Sequence, residues 1–225
     1  MTLLATVFDL DETLVDSAAT WNQVIGTVAA RHDHRWTSTD WTAIQGTSTA
    51  SWTAYLAERC HGLTPERAAS ECVDGMVDAI ARGTFGMLPG AAELVALAAE
   101  LGPVGLVSAS PRRYVRAAAS ASGLRRHVEA IVTGDDVANG KPAPDPYLLA
   151  ARKLGLDPVN VLAVEDSASG IRSAHAAGMT VLAIPNATTA RDADVLKLAA
   201  CTASDARVAA KEICQLWVNV YALSR

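Results

Sequence analysis

No stretch of the 225 residues is basic enough to hold a polyanion: 24 Asp and Glu outweigh 19 Lys and Arg, for a net charge of −5. Nucleic acid and anionic membranes are thereby set aside as main partners. No apolar run approaches the roughly 20 residues that a membrane-spanning helix requires. The opening residues, MTLLATVF, lack a basic segment and are too short for a secretory signal, so the cytoplasm is the expected compartment. Cysteine is scarce: Cys60, Cys72, Cys201 and Cys214 form no CxxC pair and no cluster. They are expected to be buried or semi-buried thiols in a reducing compartment, not disulfides or zinc ligands. Internal repeats and low-complexity tracts are also missing, and the abundant alanine follows helix propensity.

Half of the chain is hydrophobic, enough for a sizeable core. Five short apolar runs carry a strand signal: 3–8, 103–108, 129–133, 160–165 and 180–185. Few alternate with polar residues, which is the pattern of strands buried on both faces. Alanine-rich helical stretches at 91–101, 111–122, 146–154 and 168–177 separate the later runs. Strands alternating with helices define an α/β fold with a doubly wound, Rossmann-like parallel sheet. The interval after the first strand differs, since 18–30, 48–59 and 65–82 read as helices with no strand among them. A small helical bundle at 16–83 is therefore expected as an insertion into an α/β domain made of 1–15 and 84–225. The run GTFGMLPG, residues 83–90, would be the hinge between them.

Open parallel sheets bind ligands beyond the carboxyl ends of their strands, so chemistry is sought there. The run VFDLDETLVDS places Asp9, Asp11 and Thr13 after the first strand. Ser108 follows the second, in VSASP, where Ser110 is expected to cap a helix that begins at Pro111. GKPAPDP presents Lys141 after the third, and Glu165 and Asp166 end the fourth. Four acids call for a cation, and an all-oxygen set suits Mg²⁺. Hydroxyls, a lysine and helix N-termini call for an anion such as phosphate. The combination points to phosphoryl transfer through an aspartyl-phosphate.

These motifs resemble those of the haloacid dehalogenase superfamily, in its phosphatase and phosphomutase branch. DLDET, Ser108, the lysine of GKP and EDSASG match its four motifs in order, over nearly the whole chain. The resemblance implies a helical cap inserted after the first motif. It also implies Asp9 as nucleophile and metal ligand, and Asp11 as general acid and base with its carbonyl on Mg²⁺. Thr13 would support that loop, while Ser108 and the backbone at Ala109 would bind phosphoryl oxygens. Lys141 would neutralise charge on nucleophile and phosphate, with Asp166, assisted by Glu165, on the metal. An aspartate at position 11 favours phosphate esters over the dehalogenase and phosphonatase chemistries of the same superfamily.

The cap narrows the choice. Mutases resembling β-phosphoglucomutase carry a histidine where this chain has Trp21, and an arginine in the segment matching GTSTAS, residues 46–51. Here that segment holds only small and hydroxyl residues, which favours a hydrolase. Trp21 together with VSASP is instead similar to the bacterial hexose and hexitol phosphatases. The expectation is a monomeric sugar phosphatase acting on a small-molecule phosphate ester, with Trp21 a candidate substrate contact and the other cap tryptophans (36, 41 and 52) packed in its core. RHDHR, residues 31–35, is read as a solvated polar turn instead of a metal site, and His175, Arg112 and Arg113 as surface.

Overall fold

A computed structural model of the chain describes residues 2–223. The first strand, β1 (Ala5–Phe8), leads into four helices: α1 (Ala18–Arg31), α2 (Ser38–Ile44), α3 (Thr49–Arg59) and α4 (Pro65–Ala81). The chain then alternates through α5 (Ala91–Leu101), β2 (Val104–Val107), α6 (Arg112–Ala121), β3 (Val128–Val132) and α7 (Asp145–Leu154). It continues with β4 (Val161–Glu165), α8 (Ala168–Ala176), β5 (Thr180–Ala183), α9 (Ala193–Leu196), β6 (Cys201–Thr202) and α10 (Ala206–Leu223). The strands pair in parallel in the order β3-β2-β1-β4-β5-β6. This is the expected doubly wound sheet. The chain winds outward in opposite directions from β1 and β4, so a crevice opens beyond the carboxyl ends of those two strands.

Both sheet faces are covered, which explains the lack of polar alternation in the strands. Phe8, Leu106, Leu162 and Val164 face α5, α6 and α10, meeting Leu94, Val95, Tyr114 and Ile213. Val7, Val107, Ala163 and Val181 face α7 and α8, meeting Tyr147, Ala150 and Ile171. Each large side chain buried this way contributes roughly 1.5–3 kcal/mol relative to exposure.

Helices α1–α4 share a third cluster around Ile25, Val28, Ile44, Trp52 and Leu56. Helix α4 is two-faced: Ala68 and Cys72 join that cluster, while Val73 and Met76 join the sheet-side core. Arg113 of α6 also pairs with Asp74 of α4. The two connections between bundle and sheet run side by side. Asp16 N–H donates to the Gly86 carbonyl (3.0 Å), and Leu88 N–H to that of Leu14 (2.9 Å).

Several details depart from the sequence reading. Helix α2 was not expected, although its capping box is a local signal: Thr37 Oγ1 accepts from Asp40 N–H and Asp40 accepts from Thr37 N–H. Strand β6 has two residues, too few for any periodicity to show. RHDHR is a turn with Arg31, Asp33 and Arg35 exposed, as expected, but its two histidines are half-buried. His32 Nε2 lies 3.2 Å from Glu71 and His34 Nε2 3.5 Å from Asp40, so they serve separate acids within the bundle. Cys60 and Cys72 are buried, but Cys214 is exposed, because it falls on the outer face of α10.

Candidate active site

Asp9 is set by the backbone. Its N–H donates to the Val164 carbonyl (3.0 Å), extending the β1–β4 pairing one residue past Phe8 and burying the carboxylate at the crevice. Glu165, the last residue of β4, is wholly buried. Between them stands Lys141, whose Nζ donates to Asp9 Oδ1 at 2.6 Å, Glu165 Oε1 at 2.5 Å and the Val107 carbonyl at 3.3 Å. Tyr147 of α7 donates to the same Glu165 oxygen at 2.7 Å. The other Glu165 oxygen accepts from the N–H groups of Asp166 and Ser167 and from Ser167 Oγ. Glu165 is thus fully occupied as the acceptor that steadies Lys141. Asp166 accepts from Asn186 Nδ2 at 2.8 Å and, at a longer 3.4 Å, from Thr13 Oγ1.

Asp9, Glu165 and Asp166 have carboxylate oxygens within 4.8 Å of one another, all buried. Three carboxylates face one ammonium, an excess of two negative charges. Its effect on protonation is direct. Burial, reinforced by the charges of Glu165, Asp166 and Asp11, lifts the Asp9 carboxyl well above the usual range although Lys141 pulls the other way. Burial and the Glu165 charge push Asp166 up to about 7. Burial opposes the charge of Lys141, but Asp9 and Glu165 outweigh it and hold the ammonium charged. A divalent cation would cancel this excess, and the donors are all oxygen, so the cluster fits a hard metal ion.

Asp11 sits apart from that cluster. Its Oδ1 accepts from Ser17 Oγ at 2.7 Å and Tyr114 Oη at 2.6 Å, and its Oδ2 from Ser110 Oγ at 2.9 Å and Ser108 Oγ at 3.3 Å. The expected cap by Ser110 is therefore absent. Helix α6 has Pro111 at its N-cap with no side-chain bond, because the Ser110 hydroxyl is spent on Asp11. Ser17 likewise leaves α1 uncapped, and Glu12 replaces it by accepting from Ser17 and Ala18 N–H at 2.9 and 2.8 Å. Glu12 reaches them from a left-handed backbone, φ 62°, uncommon outside glycine.

The 108–110 loop is fixed from three sides. Ser110 N–H donates to Ser108 Oγ at 3.1 Å, and Thr49 Oγ1 of the helical bundle donates to the Ala109 carbonyl at 3.0 Å. The third side is Gly134, where a Cβ would lie 2.4 Å from the Ala109 oxygen, so only glycine fits. A cleft of about 230 Å³ opens beside the loop, lined by Ser108, Ala109 and Lys141 of the sheet domain and by Thr47, Ser48 and Thr49 of the bundle. Trp21 is not part of that lining. Its ring meets Tyr114 edge-on at 4.9 Å and lies 6.1 Å from Trp52. Arg112 is tied to Asp136 at 2.9 Å and Arg113 to Asp74, and His175 is exposed, as surface residues would be.

The structure thus gathers Asp9, Lys141, Glu165 and Asp166 in one place and Asp11, Ser108 and Ala109 beside it. Tyr147, Asn186 and Tyr114 escaped the sequence reading because each reaches the site from another element and belongs to no motif. Ser17 and Gly170 end the runs VFDLDETLVDS and EDSASG, but their roles show only in the structure: Ser17 donates to Asp11, and a Cβ at Gly170 would lie 1.8 Å from Glu165 Oε1.

An all-parallel sheet with carboxylates and a lysine at its switch point, roofed by an inserted helical bundle, defines a class of hydrolase. Residues 4–178 match the haloacid dehalogenase-like hydrolases, and the chain belongs to that family. Among its relatives is protein CbbY of Rhodobacter capsulatus, 34% identical over 205 residues that cover 85% of this chain and 89% of that one. Hexitol phosphatase B of Escherichia coli is 29% identical over 189 residues, covering 81% and 84%. The solved CbbY of Rhodobacter sphaeroides in complex with phosphate shares the fold, with a TM-score of 0.82 over 91% of this chain and 95% of that one at 24% identity.

Proposed function

We propose that this phosphoric monoester hydrolase is a Mg²⁺-dependent sugar phosphatase that works through an aspartyl-phosphate on Asp9. The observation that carries the reading is Lys141, buried with its Nζ 2.6 Å from Asp9 Oδ1 inside a cluster of three carboxylates. Asp9, Asp166 and the Asp11 carbonyl would hold the metal, assisted by Glu165. Bound there, Mg²⁺ supplies positive charge that keeps the carboxylates ionised and offsets the phosphate dianion.

The chain's own groups then divide the work. Ser108, the backbone at Ala109 and Lys141 bind phosphoryl oxygens, and Thr13 supports the catalytic loop. An Asp9 oxygen forms a bond to phosphorus as the ester P–O bond breaks, and Asp11 gives its proton to the departing alcohol oxygen. Asp11 next takes a proton from water, whose oxygen displaces the phosphoryl group from Asp9 and releases inorganic phosphate. The unit 16–83 acts as a cap that covers the site during transfer and opens for release.

The hydroxyl-rich wall of Thr47, Ser48 and Thr49 suits an uncharged polyol. The name of the hexitol phosphatase relative points the same way. A mutase, whose bisphosphate intermediate needs a second anion anchor, is disfavoured, because Lys141 is the sole Lys or Arg among the described lining residues and is engaged by Asp9 and Glu165. We place the enzyme in the cytoplasm as a monomer; its four cysteines are free, and among the described residues no helix is long and apolar enough to cross a membrane. The test is phosphate release from a panel of sugar and polyol monophosphates with Mg²⁺ or EDTA. Asp9→Asn is expected to abolish turnover and Asp11→Asn to slow it; near-wild-type turnover by Asp9→Asn would sink the mechanism.

A further inference from the structure

Four hydroxyls surround the Asp11 carboxylate, and they divide by oxygen. Oδ2 accepts from Ser110 and Ser108, both on the loop assigned to phosphoryl oxygens. Oδ1 accepts from Ser17 at 2.7 Å and Tyr114 at 2.6 Å, two residues outside that loop and wholly buried. An incoming phosphate competes for the first pair and has no access to the second. Tyr114 is also held in place: its ring meets Trp21 of α1 edge-on at 4.9 Å, and Trp21 lies 6.1 Å from Trp52 of α3.

We infer that Tyr114, together with Ser17, is a positioning residue that fixes Oδ1 of Asp11 and leaves Oδ2 as the oxygen that delivers the proton. The inference rests on the acid–base role proposed for Asp11. As the ester P–O bond breaks, the Oδ2–H bond breaks with it and an O–H bond forms on the alcohol. The carboxylate left behind keeps two hydrogen bonds on Oδ1, charge-assisted and therefore stronger than those of the neutral acid. Tyr114 favours the state that follows proton transfer, and it ties the aim of the acid to the seating of α1.

A tyrosine that only packs would slow all substrates alike, whereas one that aims an acid matters most where the leaving group needs a proton. Tyr114→Phe keeps the ring and its contact with Trp21 and removes only the hydroxyl. The readout is kcat/KM, which covers the steps through alcohol departure, for the best alkyl substrate of the panel and for p-nitrophenyl phosphate. Nitrophenolate leaves without a proton; an alkoxide does not. The alkyl-to-aryl ratio is expected to fall at least tenfold in Tyr114→Phe and to move the same way in Ser17→Ala, against the 10²–10⁴ typical of a positioned acid. An unchanged ratio in both folded variants, verified by thermal melting, overturns the inference. Asp11→Asn separates the two levels. A fall of the ratio there with none in Tyr114→Phe removes only the positioning role. No fall in Asp11→Asn removes the acid role itself.

Discussion

Replacing Gly170 by alanine sets two physical effects against each other with opposite signs. Gly170 lies within α8, where alanine is the better helix former by about 1 kcal/mol. Propensity alone therefore predicts stabilisation. The tertiary structure predicts the reverse, because the added Cβ would lie 1.8 Å from Glu165 Oε1 and 1.9 Å from its carboxyl carbon. Glu165 has nowhere to move. One of its oxygens holds Lys141 at 2.5 Å and Tyr147 at 2.7 Å, and the other holds the N–H groups of Asp166 and Ser167. Overpacking costs typically 1–3 kcal/mol, and each buried hydrogen bond left unmade costs about as much again. With one such bond lost and propensity credited, the net is a destabilisation of about 1–5 kcal/mol. For a chain of this size each kcal/mol moves Tm by about 2–4 °C, so calorimetry should show a fall of roughly 2–20 °C. Phosphate release should drop at least tenfold in the same variant, since Lys141 loses its register with Asp9. An unchanged or higher Tm would refute the packing argument and leave propensity as the controlling term.

Two further outcomes follow from the charge cluster. In the metal-free protein Asp166 is raised from its ordinary 3.8 to about 7, so the folded state keeps a proton that the unfolded chain releases. That contribution is complete below pH 3.8 and is lost as pH rises through about 7. Mg²⁺ takes the place of the proton, so its stabilisation in melts against EDTA should be small near pH 5 and largest above pH 7; an equal shift at every pH would contradict this. Lys141→Met removes the ammonium buried among Asp9 and Glu165. Breaking such a pair costs about 3–5 kcal/mol, to be read from the urea midpoint of the metal-free protein, and an unchanged midpoint would show that the ion pair does not stabilise the fold.

The sequence was most legible where one strand or one turn carries the information. Four of the five main strands lie within their expected runs, β3 begins one residue early at Val128, and α5 spans 91–101 as expected, because apolar runs and helix boundaries are local properties. Asp9, Lys141, Glu165 and Asp166 were legible for a related reason: each sits at the carboxyl end of a strand or in the loop just beyond, and a parallel sheet brings those ends to one edge. Local rules misled at Ser110, which stands where a serine would cap a helix and gives its hydroxyl to Asp11 instead, as Ser17 does at the start of α1. The half-buried Asp11 carboxylate outranks a helix end as a partner, because a shielded charge left unpaired costs more than a helix N–H, which at α1 Glu12 satisfies.

By itself the sequence determined the family, the doubly wound sheet, the insertion after β1 and the set of charged residues at the sheet edge. It could do so because motif order and strand periodicity survive without coordinates. Only the tertiary structure decided which partner each charge takes. Lys141 bridges Asp9 and Glu165, Tyr147 steadies that bridge, and Asp11 stands aside in a ring of hydroxyls drawn from three separate segments. Such pairings depend on angstrom-scale distances between residues up to 132 positions apart, as Lys141 is from Asp9, and no local pattern encodes them.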